Sequence, residues 1–233
     1  MKLYHGSKYI VDQPIAKGSK PDNDYGPAFY LTRDLKSAKE WACRNNSVGY
    51  VNVYEFNQRN LKVLDLTDKN KYSVLNWLAI LLHYRELPST YKNNFLKRLK
   101  FIEDNYYIDV KQYDLVIGYR ADDAYFRFPT EFIVGNITLE QLDYSFQLGQ
   151  LGIQYVVISN RAIKRLKFKE AILSEEKFVN CYFENVTLAT KRFDKLDKDA
   201  DGIRIMDLMK NNDLHILCKW VSPTLPQGPS FSP

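Results

Sequence analysis

Between Ala28 and Ala42 the sequence AFYLTRDLKSAKEWA changes its hydrophobic period. Ala28 to Leu31 is a short apolar run of the strand type. From Leu35 onward the apolar positions Leu35, Ala38, Trp41 and Ala42 recur at the three- and four-residue spacing of one helix face. Thr32 or Asp34 can cap that helix, because either side-chain oxygen can accept a bond from a first-turn amide. Tyr30 on the strand and Trp41 on the helix can converge, either as a core cluster or as the jaws of a slot for a flat ligand.

The same reading places strands at Lys2 to His5, Tyr50 to Phe56, Leu61 to Leu66, Tyr113 to Ile117, Gln154 to Ser159 and Phe168 to Leu173. The second and third of these could pair across Asn57 to Asn60. Helices are predicted at Val74 to Tyr84 and Tyr91 to Ile102, with Pro88 as a breaker, and at Thr138 to Leu148, where Thr138 and Gln141 are spaced as a capping box. Asn160 is expected to cap a short basic helix. Ile10 to Gly26, with Pro14, Gly18, Pro21 and Gly26, reads as loop. Strands interleaved with helices, together with hairpin-like strand pairs, argue for an α+β fold.

Beyond Ser174 the pattern changes. A strand at Val179 to Phe183, a charged stretch from Lys191 to Asp201 and a helix at Ile203 to Met209 are expected. The closing PTLPQGPSFSP carries four prolines in eleven residues and should be extended. The chain is therefore divided into a main domain, 1–174, and a C-terminal extension, 175–233.

Composition narrows the class. The 233 residues are 45% hydrophobic and 26% charged, an ordinary globular balance. The longest apolar block, Val74 to Leu82, is interrupted by Asn76 and is too short to span a membrane. The amino terminus lacks the pattern of a secretion signal. Three cysteines, Cys43, Cys181 and Cys218, leave at least one unpaired and share no metal-like spacing, so a cytoplasmic protein with reduced thiols is expected. The net charge of +5 is mild. Its two basic clusters, Lys92 to Lys100 and Arg161 to Lys169, read as solvated helix faces before they read as a phosphate-binding surface.

His5 ends an apolar strand and is followed at once by Gly6 and Ser7, which offer bare backbone and a hydroxyl beside the imidazole. A satisfied core histidine is the plain alternative. Asp122 and Asp123 follow the Tyr113 strand in an aromatic loop with Tyr119 and Tyr125; they are either a solvated turn or site carboxylates. Asp197, Asp199, Asp201 and Gly202 begin like a calcium loop. Leu208, however, occupies the position that needs a bidentate glutamate, so the segment reads as an acidic turn before a helix, and no metal site is expected.

LYHGS (Leu3 to Ser7) and FYLTRDLKSAKEWA (Phe29 to Ala42) resemble the first two motifs of histidine-type ADP-ribosyltransferases, the diphtheria-toxin and poly-ADP-ribose-polymerase branch. With DYGPAFYLT, VNVYEF, YDLVIGYRADD and the Gln154 strand, the chain is similar over about residues 1–174 to a bacterial domain-of-unknown-function family, number 3990, placed in the ADP-ribosyltransferase-like group. The resemblance implies a split β-sheet core with flanking helices and an enzyme that transfers ADP-ribose from NAD. It also implies a toxin role, with an acceptor that is protein, nucleic acid or small molecule, and a small antitoxin-like partner. His5, Tyr30 and Gln154 would be catalytic. Gly6, Ser7, Thr32, Ser37 and Trp41 would join His5 and Tyr30 in holding NAD.

The resemblance breaks at one position. Where the enzymes place a glutamate at the head of a strand, this chain has Gln154, which can hydrogen-bond a ribose hydroxyl but carries no charge. Asp123 is the candidate substitute acid, with Asp122 and Tyr125 toward the acceptor. The alternative is a module that binds NAD or ADP-ribose without turnover. If glutamine is the handicap, Gln154→Glu should raise the rate.

Overall fold

The computed structural model describes residues 1–211 except 45, 86, 88, 122–125, 149–151 and 198–200, and only the backbone of 147 and 148. Asp122, Asp123, Tyr125, Asp199, Cys218 and the proline-rich tail therefore lie outside the described residues.

The fold is mixed α+β, built on one open, mostly antiparallel sheet. Its strands are β1 (Lys2–Ser7), β2 (Phe29–Thr32), β3 (Tyr50–Phe56), β4 (Val63–Asp65), β5 (Leu115–Tyr119), β6 (Ile153–Val157) and β7 (Leu166–Leu173), in the order β4-β5-β6-β2-β1-β3-β7. Only β4 and β5 run parallel. The predicted hairpin across Asn57 to Asn60 does not form. β3 pairs with β1 and β7, and the chain crosses to the far edge, where the fully buried Leu64 sits beside β5.

The sheet has two parts with a weak seam. Four strands, β4-β5-β6-β2, form one ladder and β1-β3-β7 form the other, and between β1 and β2 one register pair, Tyr4 with Thr32, joins them. Alternation along the strands sorts the side chains to two faces. Leu3, Phe29, Leu31, Tyr54, Leu115, Ile117 and Val157 face one side, where they pack with α7 (Asn160–Ile163) through Ala162. Tyr4, Tyr30, Val116 and Val156 face the other.

On that second face α1 (Leu35–Ala42) covers the three-stranded part through Ala38 and Ala42. α2 (Val74–Tyr84) covers the four-stranded part, with Leu75, Trp77, Leu78, Ile80 and Leu81 almost fully buried. α4 (Leu96–Tyr106), α5 (Arg127–Val134) and α6 (Leu139–Leu148) complete the same core. α3 (Ser89–Asn94) is a separate exposed turn of helix, so the single helix expected from Tyr91 to Ile102 is two.

Capping follows side-chain chemistry. Asp34 caps α1 through the Lys36 and Ser37 amides, and Thr138 and Gln141 bond reciprocally as a capping box before α6. Ser159, not Asn160, caps α7, its hydroxyl accepting the Ala162 amide. The predicted strand Val179 to Phe183 is helical: α8 (Cys181–Phe193) starts inside it. Ala189 and Phe193 then join the main core along with Ile205 and Leu208 of α9 (Ile205–Lys210). Among the described residues no helix is long and apolar enough to cross a membrane.

Gly6 sets the spacing between β1 and α1. A β-carbon there would lie far inside van der Waals distance of the Ala38 carbonyl oxygen and 2.7 Å from the Ala42 nitrogen, both backbone atoms that cannot swing aside. Gly6→Ala should therefore lower unfolding stability by about 2 kcal/mol, the usual scale of overpacking, as read by urea denaturation. An unchanged midpoint would show that α1 can slide away.

Candidate functional site

At the seam, β1 and β2 part company and a side chain takes over from the ladder. His5 Nδ1 lies 2.7 Å from the Tyr30 carbonyl oxygen. A carbonyl only accepts, so Nδ1 carries the hydrogen. Burial pushes the imidazole below its ordinary pKa, against the raising effect of that same bond, so the ring is neutral and Nε2 is left with a lone pair. Nε2 bonds to nothing among the described residues. The ring is held further by Phe29, 4.5 Å between centroids, on the Leu3 face of the sheet. Asn52, fully buried opposite His5 on β3, bonds the His5 and Tyr9 carbonyls and the Val11 amide, which fixes the strand and the loop after it.

Tyr30 projects to the opposite face. Its hydroxyl donates to the Gly26 carbonyl at 2.6 Å and accepts the Tyr25 amide at 3.2 Å. Burial and the nearby Asp24 charge hold the phenol protonated. Tyr25 is itself buried, its ring lying over Gly118, where a side chain would leave no room for it, and its hydroxyl donating to the Tyr119 carbonyl at 2.7 Å. The stretch Asp24-Tyr25-Gly26 is thereby clamped across β2, β6 and β5.

That clamp carries a carboxylate over the sheet. Asp24 is 6% exposed. Its Oδ1 accepts from Arg85 at 2.9 Å, and its Oδ2 accepts from the Ala121 amide at 2.8 Å and from Gln154 Nε2 at 3.0 Å. Gln154, the second residue of β6, sits directly across from Thr32 and Gly118. With its amide nitrogen on Asp24, its Oε1 accepts no bond among the described residues. Burial lifts Asp24 to about pKa 6; the Arg85 charge and the bonds from Ala121, Arg85 and Gln154 pull the other way and only partly offset it. Sequence reasoning missed Asp24, whose only local signal is its place before Tyr25-Gly26 in an otherwise loop-like stretch.

His5 is thus tied to the Tyr30 backbone, and Tyr30 is linked to Gln154 through the Asp24-Tyr25-Gly26 stretch; His5 lies on the Leu3 face, and Gln154, paired with Thr32, on the Tyr30 face. The other expected residues serve mainly local structure. Thr32 Oγ1 accepts the Asp34 amide, Ser7 Oγ accepts the Tyr9 amide, and Ser37 donates to Asp34 at 2.5 Å. Trp41 does not touch the Tyr30 ring among the described residues. The Arg120 guanidinium lies 3.8 Å over its ring and that of Arg44 4.4 Å, with Tyr182 edge-on at 6.5 Å.

Asp24 should titrate near pH 6, followed by its carboxyl carbon resonance. Because its folded pKa lies above the usual 3.8, the native state holds a proton that the unfolded chain has released between about pH 4 and 6. Its contribution to stability should fall as pH rises through that window and level off above it. Asp24→Asn should remove this slope from the stability-pH curve, and an unchanged slope would show that Asp24 is ordinary.

A family profile with the description "Protein of unknown function (DUF3990)" matches residues 1–168, a span that holds β1, the Asp24 clamp, β2, α1 and Gln154. Neither the curated proteins nor the solved structures gave a match. The matched span covers most of the chain, and the protein belongs to the DUF3990 family.

Proposed function

We propose that the chain binds NAD at the β1–β2 seam and transfers its ADP-ribosyl group to an acceptor. One observation carries this reading: among the described residues, His5 Nε2 and Gln154 Oε1 have no hydrogen-bond partner, each because its companion nitrogen is fixed from behind. A neutral imidazole nitrogen and an amide carbonyl each suit a ligand that presents hydroxyl donors, as a ribose does. The chemistry of the set fits the dinucleotide that the His5, Tyr30 and Trp41 motifs resemble.

When bound, NAD supplies a glycosidic bond that breaks with positive charge developing on the ribose. This chain's residues would bind and orient. His5 and Gln154 accept from ribose hydroxyls, the Gly6 backbone lies beside the imidazole, and Tyr30 keeps its proton and holds the Asp24 loop in place. Gln154 contributes a carbonyl dipole to the developing cation where a carboxylate would contribute a charge, so the rate should be modest. The toxin role and the antitoxin-like partner follow from the same resemblance.

A second reading is favoured by the pairing of Asp24 with Arg85, which leaves the site without an uncompensated negative charge among the described residues. In that reading the chain binds NAD or ADP-ribose and does not turn it over.

The test is incubation with adenylate-labelled NAD, following nicotinamide release and label transfer to lysate. Wild type should release nicotinamide, and His5→Ala should cut the rate by about two orders of magnitude while circular dichroism shows it folded. Saturable binding by calorimetry without release selects the binding module. Neither binding nor release ends both readings.

A further inference from the structure

The Gln154 amide has two ends, and nothing in its own chemistry decides which faces the ligand. Asp24 decides it. A carboxylate accepts and cannot donate, so the end 3.0 Å from Oδ2 must be the NH2 group, and the carbonyl is forced to the other side. Asp24 in turn cannot rotate. Arg85 holds Oδ1 and the Ala121 amide holds Oδ2, while Arg85 is itself tied to the Ala121 carbonyl at 2.9 Å. The clamp at Tyr25 and Tyr30 then fixes the backbone that carries Asp24. Four segments far apart in sequence converge on one amide orientation.

We infer that Asp24 is a positioning residue of this site, acting through Gln154: it locks the amide so that Oε1 is a fixed acceptor for a ligand hydroxyl. The inference rests on the proposed seam site and adds to it the reason why position 154 is a glutamine. A glutamate there would set two carboxylates about 3 Å apart, with Arg85 the one cation bonded to them among the described residues. One of the pair would then have to take up a proton or turn away. The expectation from sequence, that Gln154→Glu removes a handicap, is thereby reversed. The acid is present one residue back from the ligand, and glutamine is its matched partner.

The experiment is a double-mutant cycle at pH 8 on the full chain, with Asp24→Asn, Gln154→Glu and the swapped pair Asp24→Asn/Gln154→Glu. The pH is set high because two carboxyls sharing a proton would imitate the native pair in weak acid. Thermal denaturation and calorimetric NAD binding are read for each variant. In wild type and Asp24→Asn the Gln154 side-chain amide resonances are followed as well.

Gln154→Glu is expected to lower Tm by several degrees and weaken NAD at least tenfold. The swapped pair should recover half or more of both losses, because it restores one amide and one carboxylate with their roles exchanged. A purely structural role for Asp24 predicts recovery of Tm without recovery of binding. The Gln154 amide protons should exchange slowly with solvent and lie away from their free-amide positions in wild type, and should exchange fast at free-amide positions in Asp24→Asn.

Gln154→Glu with undiminished Tm and tighter NAD binding would overturn the inference, as would a swapped pair no better than the single variant. If wild type binds no NAD, the dinucleotide reading falls by itself. The amide resonances then still decide whether Asp24 orients Gln154.

Discussion

A carboxylate buried to 6% exposure is expensive to place, several kcal/mol before compensation, and it persists only where donors surround it. Asp24 has three: a guanidinium, a backbone amide and a side-chain amide. Each donor comes from a different part of the fold. Arg85 follows α2, Ala121 follows β5, and Gln154 is the second residue of β6. The loop before β2 is consequently tied to the helical layer and to two sheet strands at one point, and the geometry of Tyr30 and Gln154 follows from that point. Mutual dependence of this kind is high-stakes. A fully satisfied network fixes one arrangement, and loss of one donor leaves a charge stranded.

The seam between β1 and β2 is the complementary feature. A continuous ladder there would use the Tyr30 carbonyl in a backbone pair; instead the imidazole of His5 takes it. One bond of this strength contributes about 1 kcal/mol net. Its consequence is therefore positional: it fixes the tautomer and leaves Nε2 basic. Buried Asn52 ties β1 to the loop after it, and Gly6 lets α1 pack close against the strand. The two half-sheets are thus joined at a single register pair, and His5 lies where the strands part.

Most of the elements were legible because their cause is local. The strand-to-helix change at Thr32, the Thr138–Gln141 box and the buried run of α2 need only near neighbours. His5, Tyr30 and Gln154 stood out because they sit at strand ends beside Gly6 or a turn. Asp24 was hidden for a physical reason: its partners lie 61, 97 and 130 residues away, and no short window contains them. The error at Val179 to Phe183 has a different origin. The apolar cluster there looks like a strand when cut short, but Tyr182, Val186, Ala189 and Phe193 continue it at helical spacing, and burial of the last two in the main core decides the matter. The absent hairpin after β3 shows burial overriding proximity. Leu64 is completely buried beside β5, while β3 is paired on both sides by β1 and β7 and has no edge left for a hairpin partner.

Trp41 shows how the segment beyond residue 174 bears on the site. Its ring is partly exposed and carries the planar guanidiniums of Arg120 and Arg44 on it, while Tyr182 of α8 presents an edge at 6.5 Å. α1 is bound to that segment on its outer side as well, through Lys39 with Glu175 at 2.7 Å and Glu40 with Asn185 at 3.2 Å. Exposed ion pairs of this sort contribute little singly. The aromatic contact, the two polar pairs and the burial of Ala189 and Phe193 act on one helix together, so the position of α1 depends on α8 as well as on β1. Arg120 closes the loop of dependence, because it directly precedes Ala121, whose amide holds Asp24. A shift of α8 would therefore be felt at Trp41, then at Arg120, and through the neighbouring amide at the carboxylate that orients Gln154.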